Sequence, residues 1–492
     1  MMKLSGLKKA CTVFALCAAT TIAGRAQDFD TLFRFDGPNG DLPQSSLIQG
    51  RDGNLYGTTT AGGGCEIFSL GCGTIFKITP SGTFSTLYTF CPVIVIGCPD
   101  GSSPVGGLIL ANDGSLYGTT EGGGFVGSLC SPTGCGTIFK ITPEGTLTTL
   151  HRFVFTDGQD LHAGLFRASD RNFYGTTRSG GTYGYGTVFR MTPTGTLTTL
   201  YSFCAQPSCP DGGVPQASLV QATNGDLYGT TWEYGSAYGH GTVFKITLQG
   251  RLTTMHVFHV IDGAQPFDAL IQGTDGNLYG TTSSGGHSGN GTVFTITLGG
   301  EFATLHDFCI HPHCTDGFAP FSALIQATDG NFYGTTAGTI YHEGAATVFR
   351  MSPSGMLTTL QYFDGANGDA PYGGLVQATT GKFFGTTTRG GYYSVKVCQG
   401  IGCGTVFSGD TGLGPFVAFV HAAGEVGQTG GILGQGFTGA SDVSLNGTPA
   451  DFTVVSDTFI RATVPAGATT GYVTVTTPGG TLTSNVPFRV TQ

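Results

Sequence analysis

Asp275-Gly276-Asn277-Leu278-Tyr279-Gly280-Thr281-Thr282, then Gly291-Thr292-Val293-Phe294-Thr295-Ile296 and Phe302-Ala303-Thr304-Leu305-His306-Asp307-Phe308, is the stretch that decides the fold. With Ala269-Leu270-Ile271-Gln272 ahead of it, it holds four short runs rich in β-branched and aromatic residues, parted by Gly turns. None has the length or period of a helix. The core of the stretch, Tyr-Gly-Thr-Thr, recurs at Tyr56, Tyr117, Tyr174, Tyr228, Tyr279 and Tyr333, and as Phe384-Gly385-Thr386-Thr387, with spacings of 61, 57, 54, 51, 54 and 51 residues. Seven copies of a four-strand unit predict a seven-bladed β-propeller. A parallel β-helix is the competing repeat fold, but its repeats are usually much shorter.

The ends of the array bear on ring closure, because an open array leaves an exposed sheet edge. The seventh copy keeps Gly404-Thr405-Val406-Phe407 but has no fourth run, while Asp30-Thr31-Leu32-Phe33-Arg34-Phe35 stands alone before the first copy in the fourth-run pattern. The N-terminal strand is therefore expected to complete the last blade.

Residues 1–26 combine Lys3, Lys8 and Lys9, an apolar run from Ala10 to Ala23, and Gly24-Arg25-Ala26, the order of a secretory signal peptide. No later segment reaches the roughly 20 apolar residues of a membrane span. Removing this leader takes away four basic residues and no acid, moving the formal charge from −10 to −14. Such an acidic chain lacks the electrostatic footprint of a nucleic-acid binder. The protein is expected to be exported, to the periplasm, cell surface or medium, and monomeric.

Twelve of the fourteen cysteines follow the leader in six close pairs: Cys65 with Cys72, Cys91 with Cys98, Cys130 with Cys135, Cys204 with Cys209, Cys309 with Cys314, and Cys398 with Cys403. Local pairs in an exported chain predict six disulfides. His311 and His313 lie within the fifth pair and superficially resemble a metal tract, but the other pairs contain no His. The recurrent Asp/Asn-Gly elements, such as Asp100-Gly101 and Asp262-Gly263, lack calcium-loop spacing and read as turns. No metal and no cofactor is expected.

In such a blade, the second-to-third loops and the blade-to-blade loops emerge on one face. These loops vary in length and sequence and hold all six cysteine pairs, whereas the other two turns hardly change. Variable loops on a rigid scaffold are where binding residues are usually placed. The residues expected to bind are Glu121, Arg178, Tyr183, Tyr185, Trp232, Tyr234, Tyr238, Tyr341, Arg389 and Tyr392. Their rings can stack on sugars or peptide, although packing of long loops against one another would use tyrosines too.

The unit Asp-Gly-Asn-Leu-Tyr-Gly-Thr-Thr, a Gly-rich loop, then Gly-Thr-Val-Phe-Lys-Ile-Thr-Pro resembles the GloVer-type tandem repeat of exported bacterial proteins, over residues 30–410. That resemblance implies export, often with a surface-sorting tail that is not found here, and no established activity or catalytic residues. The organisation expected is a signal peptide (1–26), the propeller (27–410), a linker (411–414) and a C-terminal domain (415–492). The last resembles an IPT/TIG immunoglobulin-like domain, through Ile432-Leu433-Gly434-Gln435-Gly436-Phe437 and Gly471-Tyr472-Val473-Thr474-Val475. Such domains are spacers or protein-binding modules.

Two functions compete. The first is a non-catalytic protein that binds carbohydrate or another cell-surface protein on the loop-rich face. The second is a propeller enzyme, a polysaccharide lyase or hydrolase with its site at the channel mouth. The expected inner strands, such as Leu47-Ile48-Gln49 and Leu270-Ile271-Gln272, supply no recurrent carboxylate or histidine, and His162 and Glu121 stand far apart in sequence. Copper-radical oxidases pair a propeller with an Ig-like domain, but His421 is the sole histidine of the C-terminal segment. No catalytic residue is assigned, and the binding role is favoured.

Overall fold

A computed structural model describes residues 28–65, 71–92, 97–127, 129–130, 133–236, 239–310, 313–338, 346–392, 398 and 400–491. They form an all-β, propeller-like chain without helices. Seven sheets of four antiparallel strands each follow the repeat, and in the fifth the strands are Ile271–Gln272, Leu278–Thr282, Thr292–Ile296 and Phe302–Asp307. The seventh sheet takes its outer strand from the N-terminus: Asp28–Arg34 pairs antiparallel with Thr405–Asp410.

Each residue of the recurrent motif has its own task. The tyrosine hydroxyl donates to the aspartate of the preceding turn, as in Tyr56 to Asp52, Tyr174 to Asp170, Tyr279 to Asp275 and Tyr333 to Asp329, at 2.7–3.0 Å. Burial first, and the neighbouring carboxylate second, push Tyr279 and Tyr333 up to about 12. In the seventh copy the tyrosine is Phe384 and the turn residue four positions earlier is Thr380, so both partners are lost together.

The motif glycine is fixed by a close approach: a Cβ in its place would lie 2.5–2.7 Å from the ring tip of the third-strand phenylalanine in all seven sheets. The second threonine meets the first threonine of the third strand at 2.8–2.9 Å in every sheet, from Thr59–Thr74 to Thr387–Thr405. The first threonine reaches out of its sheet. Thr119, Thr176, Thr281, Thr335 and Thr386 donate to Ala163, Ala217, Ser322, Pro371 and Ser45 of the next sheet, the last linking the seventh sheet back to the first.

Between sheets the core is aromatic. Phe35, Phe90, Phe153, Phe203, Phe258, Phe308 and Phe363 are buried, and all seven, such as Phe203 on Phe244 and Phe258 on Phe294, meet a third-strand phenylalanine edge to face at 5.1–5.4 Å. Burying a side chain of this size stabilises by roughly 1.5–3 kcal/mol.

Inner strands are two residues long, shorter than the runs read from the sequence. A left-handed bend stands six residues before each of them. Leu42, Ser103, Asp160, Val214, Gln265, Ala319 and Ala370 all hold φ between 51° and 58°, and the carbonyl of each accepts from the residue that follows Tyr-Gly-Thr-Thr. A left-handed residue ends ladder pairing, and for Val214 it costs on the order of 1 kcal/mol.

The C-terminal segment forms two further four-stranded sheets. One contains Ala418–Phe419, Thr429–Leu433, Phe459–Thr463 and Phe452–Ser456; the other contains Thr448–Pro449, Asp442–Leu445, Val473–Thr477 and Gly480–Thr483. Val417, Ile432, Phe437, Val443, Val475 and Phe488 fill the space between them.

Candidate binding sites at the two ends of the repeat array

The end bearing the second-to-third loops carries the residues singled out in the sequence. All six disulfides occur there with the predicted pairings. Tyr238 and Tyr341 lie outside the described residues, as does the leader. Tyr183, Tyr185 and Tyr392 are exposed. Tyr185 and Tyr234, from consecutive sheets, meet edge to face at 5.1 Å. Arg389 is tied in by its backbone, which pairs with Asp369.

Glu121 and His162, unrelated in the sequence reading, are brought together: His162 Nε2 lies 3.6 Å from Glu121 Oε1, with both side chains partly shielded. Burial would raise the Glu121 carboxyl, but the contact with His162 and the charges of His162 and Arg178 hold it below its usual value. Glu121 and Arg178 therefore belong to one charged group. The indole N–H of Trp232 is buried with no acceptor among the described residues.

Residues one past the left-handed bend and its following Pro or Leu add what the sequence reading missed. This position holds Gln44, Val105, His162, Gln216, Phe267, Phe321 and Tyr372. Phe267, Phe321 and Tyr372 form a run of edge-to-face contacts at 5.2 and 5.0 Å. One residue on, Asp268 accepts from the Ala269 and Ala323 amides, yet burial outweighs these bonds and raises its carboxyl. Aligning the repeats at the Pro would have exposed this set.

The opposite end, which carries the short turns, is built around glutamine. Gln221, Gln272, Gln326, Gln377 and Gln49 each accept a backbone N–H from the turn of the preceding sheet, and each donates to a glycine carbonyl in its own turn. In the second and third sheets the same position is Leu110 and Arg167.

The C-terminal segment docks on this end. Gln435 donates to Thr379, Thr458 donates to the Arg51 carbonyl, and the Arg51 guanidinium sits 4.4 Å over the Phe459 ring. A cavity of about 590 Å³ remains between them, lined by inner strands of six sheets and by the C-terminal segment. Arg167, His421 and Arg489 face it, with no Asp or Glu in the lining. Burial, then the charges of Arg167 and Arg489, push the His421 imidazolium down to about 4.

Family models match the Gloeobacter/Verrucomicrobia repeat over residues 3–128 and 125–345, more than half of the chain. The chain belongs to this repeat family. No curated protein matches it in sequence. Among solved structures, a fungal alcohol oxidase of the AA5 family in complex with copper aligns with 94% of this chain and 98% of its own at 13% identity and a TM-score of 0.50. A putative gluconolactonase aligns with 80% of this chain and 94% of its own at 11% identity and a TM-score of 0.37.

At this identity the first likeness shows the fold alone. Among the described residues, the one trio with metal-ligand geometry is Cys65, Cys72 and Cys91. These belong to the Cys65–Cys72 and Cys91–Cys98 disulfides, a donor set that does not fit copper. The six disulfides fit an exported protein, and no described helix is long and apolar enough to cross a membrane.

Proposed function

We propose that this chain is an exported, seven-bladed propeller closed by its N-terminal strand and capped by an IPT/TIG Ig-like domain, and that it binds carbohydrate at the loop-rich mouth without catalysis. The observation that carries the reading is the row Phe267, Phe321 and Tyr372 on three consecutive sheets. In a seven-bladed ring, blades five to seven lie across the mouth from Glu121, His162 and Arg178 on blades two and three. Aromatic faces stack on pyranose C–H surfaces while the charged groups take hydroxyls. A partner protein is the other ligand class that such a surface accommodates.

Titrating the mature protein with a panel of neutral oligosaccharides while following Trp232 fluorescence tests this. A saturable shift, weakened at least tenfold by Phe321→Ala, supports the reading; no shift across the panel overturns it.

The Glu121–His162 contact favours a second reading, a polysaccharide lyase or hydrolase, because a paired carboxylate and imidazole can move a proton. Turnover of a bound polysaccharide that is lost in both Glu121→Gln and His162→Gln would replace binding with catalysis.

A further inference from the structure

We infer that the cavity at the turn end is a second binding site, taking a small organic carboxylate of sugar-acid size. Three independent observations converge on it. The first is a broken rule: five sheets carry the glutamine that clasps the preceding turn, while the third carries Arg167. The Arg167 side chain faces the cavity and forms no hydrogen bond or ion pair with any described residue, although the charge of Asp113 acts on it.

The second is charge. Arg489 enters from the other side, where its guanidinium donates to the Ala222 and Thr223 carbonyls and to Gln221 Oε1. Two arginines and a histidine thus share a space with no carboxylate in its lining, in a chain whose formal charge is −10. Asp113 acts on Arg167 from outside the lining, and Arg489 is already held by three acceptors, so the unengaged fork facing the cavity is that of Arg167, and a planar carboxylate is the group such a fork matches.

The third is size and polarity. About 590 Å³ falls within the range of small-molecule pockets. Thr223 and Thr274 add hydroxyl-binding groups to the wall, and Ile48, Ile109 and Phe166 add apolar surface. A carboxylated polyol matches that mixture better than a bare inorganic anion does.

Arg167→Gln is the decisive variant, because it restores the residue that five other sheets carry and so threatens the fold least. Calorimetric titration of the mature full chain would use glucuronate, citrate and sulfate, with glucose as the neutral control and Arg251→Gln, on an outer turn, as the charge control. The expected result is saturable binding of glucuronate but not glucose, weakened at least tenfold in Arg167→Gln and unchanged in Arg251→Gln. Both variants should melt within a few degrees of the parent. Absence of saturable binding for all three anions, or equal affinity in Arg167→Gln, overturns the site. Phe321→Ala should leave glucuronate binding intact, so failure here and failure of the loop-rich site are read separately.

Discussion

The same seven sheets end in two very different surfaces. At the turn end, one glutamine device is used five times, and its two exceptions, Leu110 and Arg167, lie side by side under the docked C-terminal segment. At the loop-rich end, the residue after Tyr-Gly-Thr-Thr differs in nearly every copy, while the backbone bond that holds it is the same in all seven. Repetition therefore marks what holds the sheets together. A departure from it carries most information where the surrounding rule is strictest, which is why Arg167 stands out more than any single loop tyrosine.

The largest expected effects test the shared frame. Phe244→Ala should destabilise by about 3–5 kcal/mol, because the ring is fully buried in a cluster with Phe203, Leu219 and Leu227. Urea unfolding of the mature chain checks it, and a loss below about 1 kcal/mol would show that the inter-sheet aromatics are not the core. Gly280→Ala comes next. Its methyl would meet the Phe294 ring and Leu270 at 2.6 Å, and overpacking of this kind costs typically about 1–3 kcal/mol.

The glutamine clasp separates the ends more sharply. Gln272→Ala removes a bond to the Thr223 amide and another to the Gly276 carbonyl and should cost about 1–2 kcal/mol. Arg167→Gln, at the equivalent position, should be neutral or stabilising. Equal losses in the two variants would dissolve the distinction between rule and exception.

The smallest effects lie in pH dependence, with opposite signs at the two ends. His421 has its folded value lowered to about 4 from 6.5, so the unfolded chain takes up the proton first. Stability present above pH 6.5 is lost as the pH falls toward 4, and His421→Gln should flatten that slope. At the loop-rich end, burial of Asp41 raises its carboxyl to about 6 against the Leu42 backbone bond that lowers it. Here stability present below about pH 3.8 is lost as the pH rises through 6, and Asp41→Asn should remove that loss. Denaturant midpoints between pH 4 and 7 decide both, and matching slopes in parent and variant would exclude either group.

Much of this architecture was legible in one dimension. The strand runs of the fifth repeat match Leu278–Thr282, Thr292–Ile296 and Phe302–Asp307 within a residue or two, because β-rich runs between Gly turns are a local signal. The orphan N-terminal run paired as expected since it carried the missing strand's own pattern. The cysteine pairs were legible for the same reason, being local.

The inner positions were less so. His162 and Glu121 are 41 residues apart and belong to different repeats, and they meet at 3.6 Å because neighbouring sheets converge toward the inner strands. The turn end read as compact and repetitive, and nothing local announced that the C-terminal segment would cover it.

By itself, then, the sequence determined the repeated four-strand unit, the completion of the last sheet by the N-terminal strand and the disulfide pairs, since each depends on patterns within a unit or copied between units. Tertiary structure alone decided which side chains share a site. Arg167 is separated by hundreds of residues from His421 and Arg489 and meets them because the C-terminal segment closes over one end of the array, a long-range packing event that no periodicity encodes.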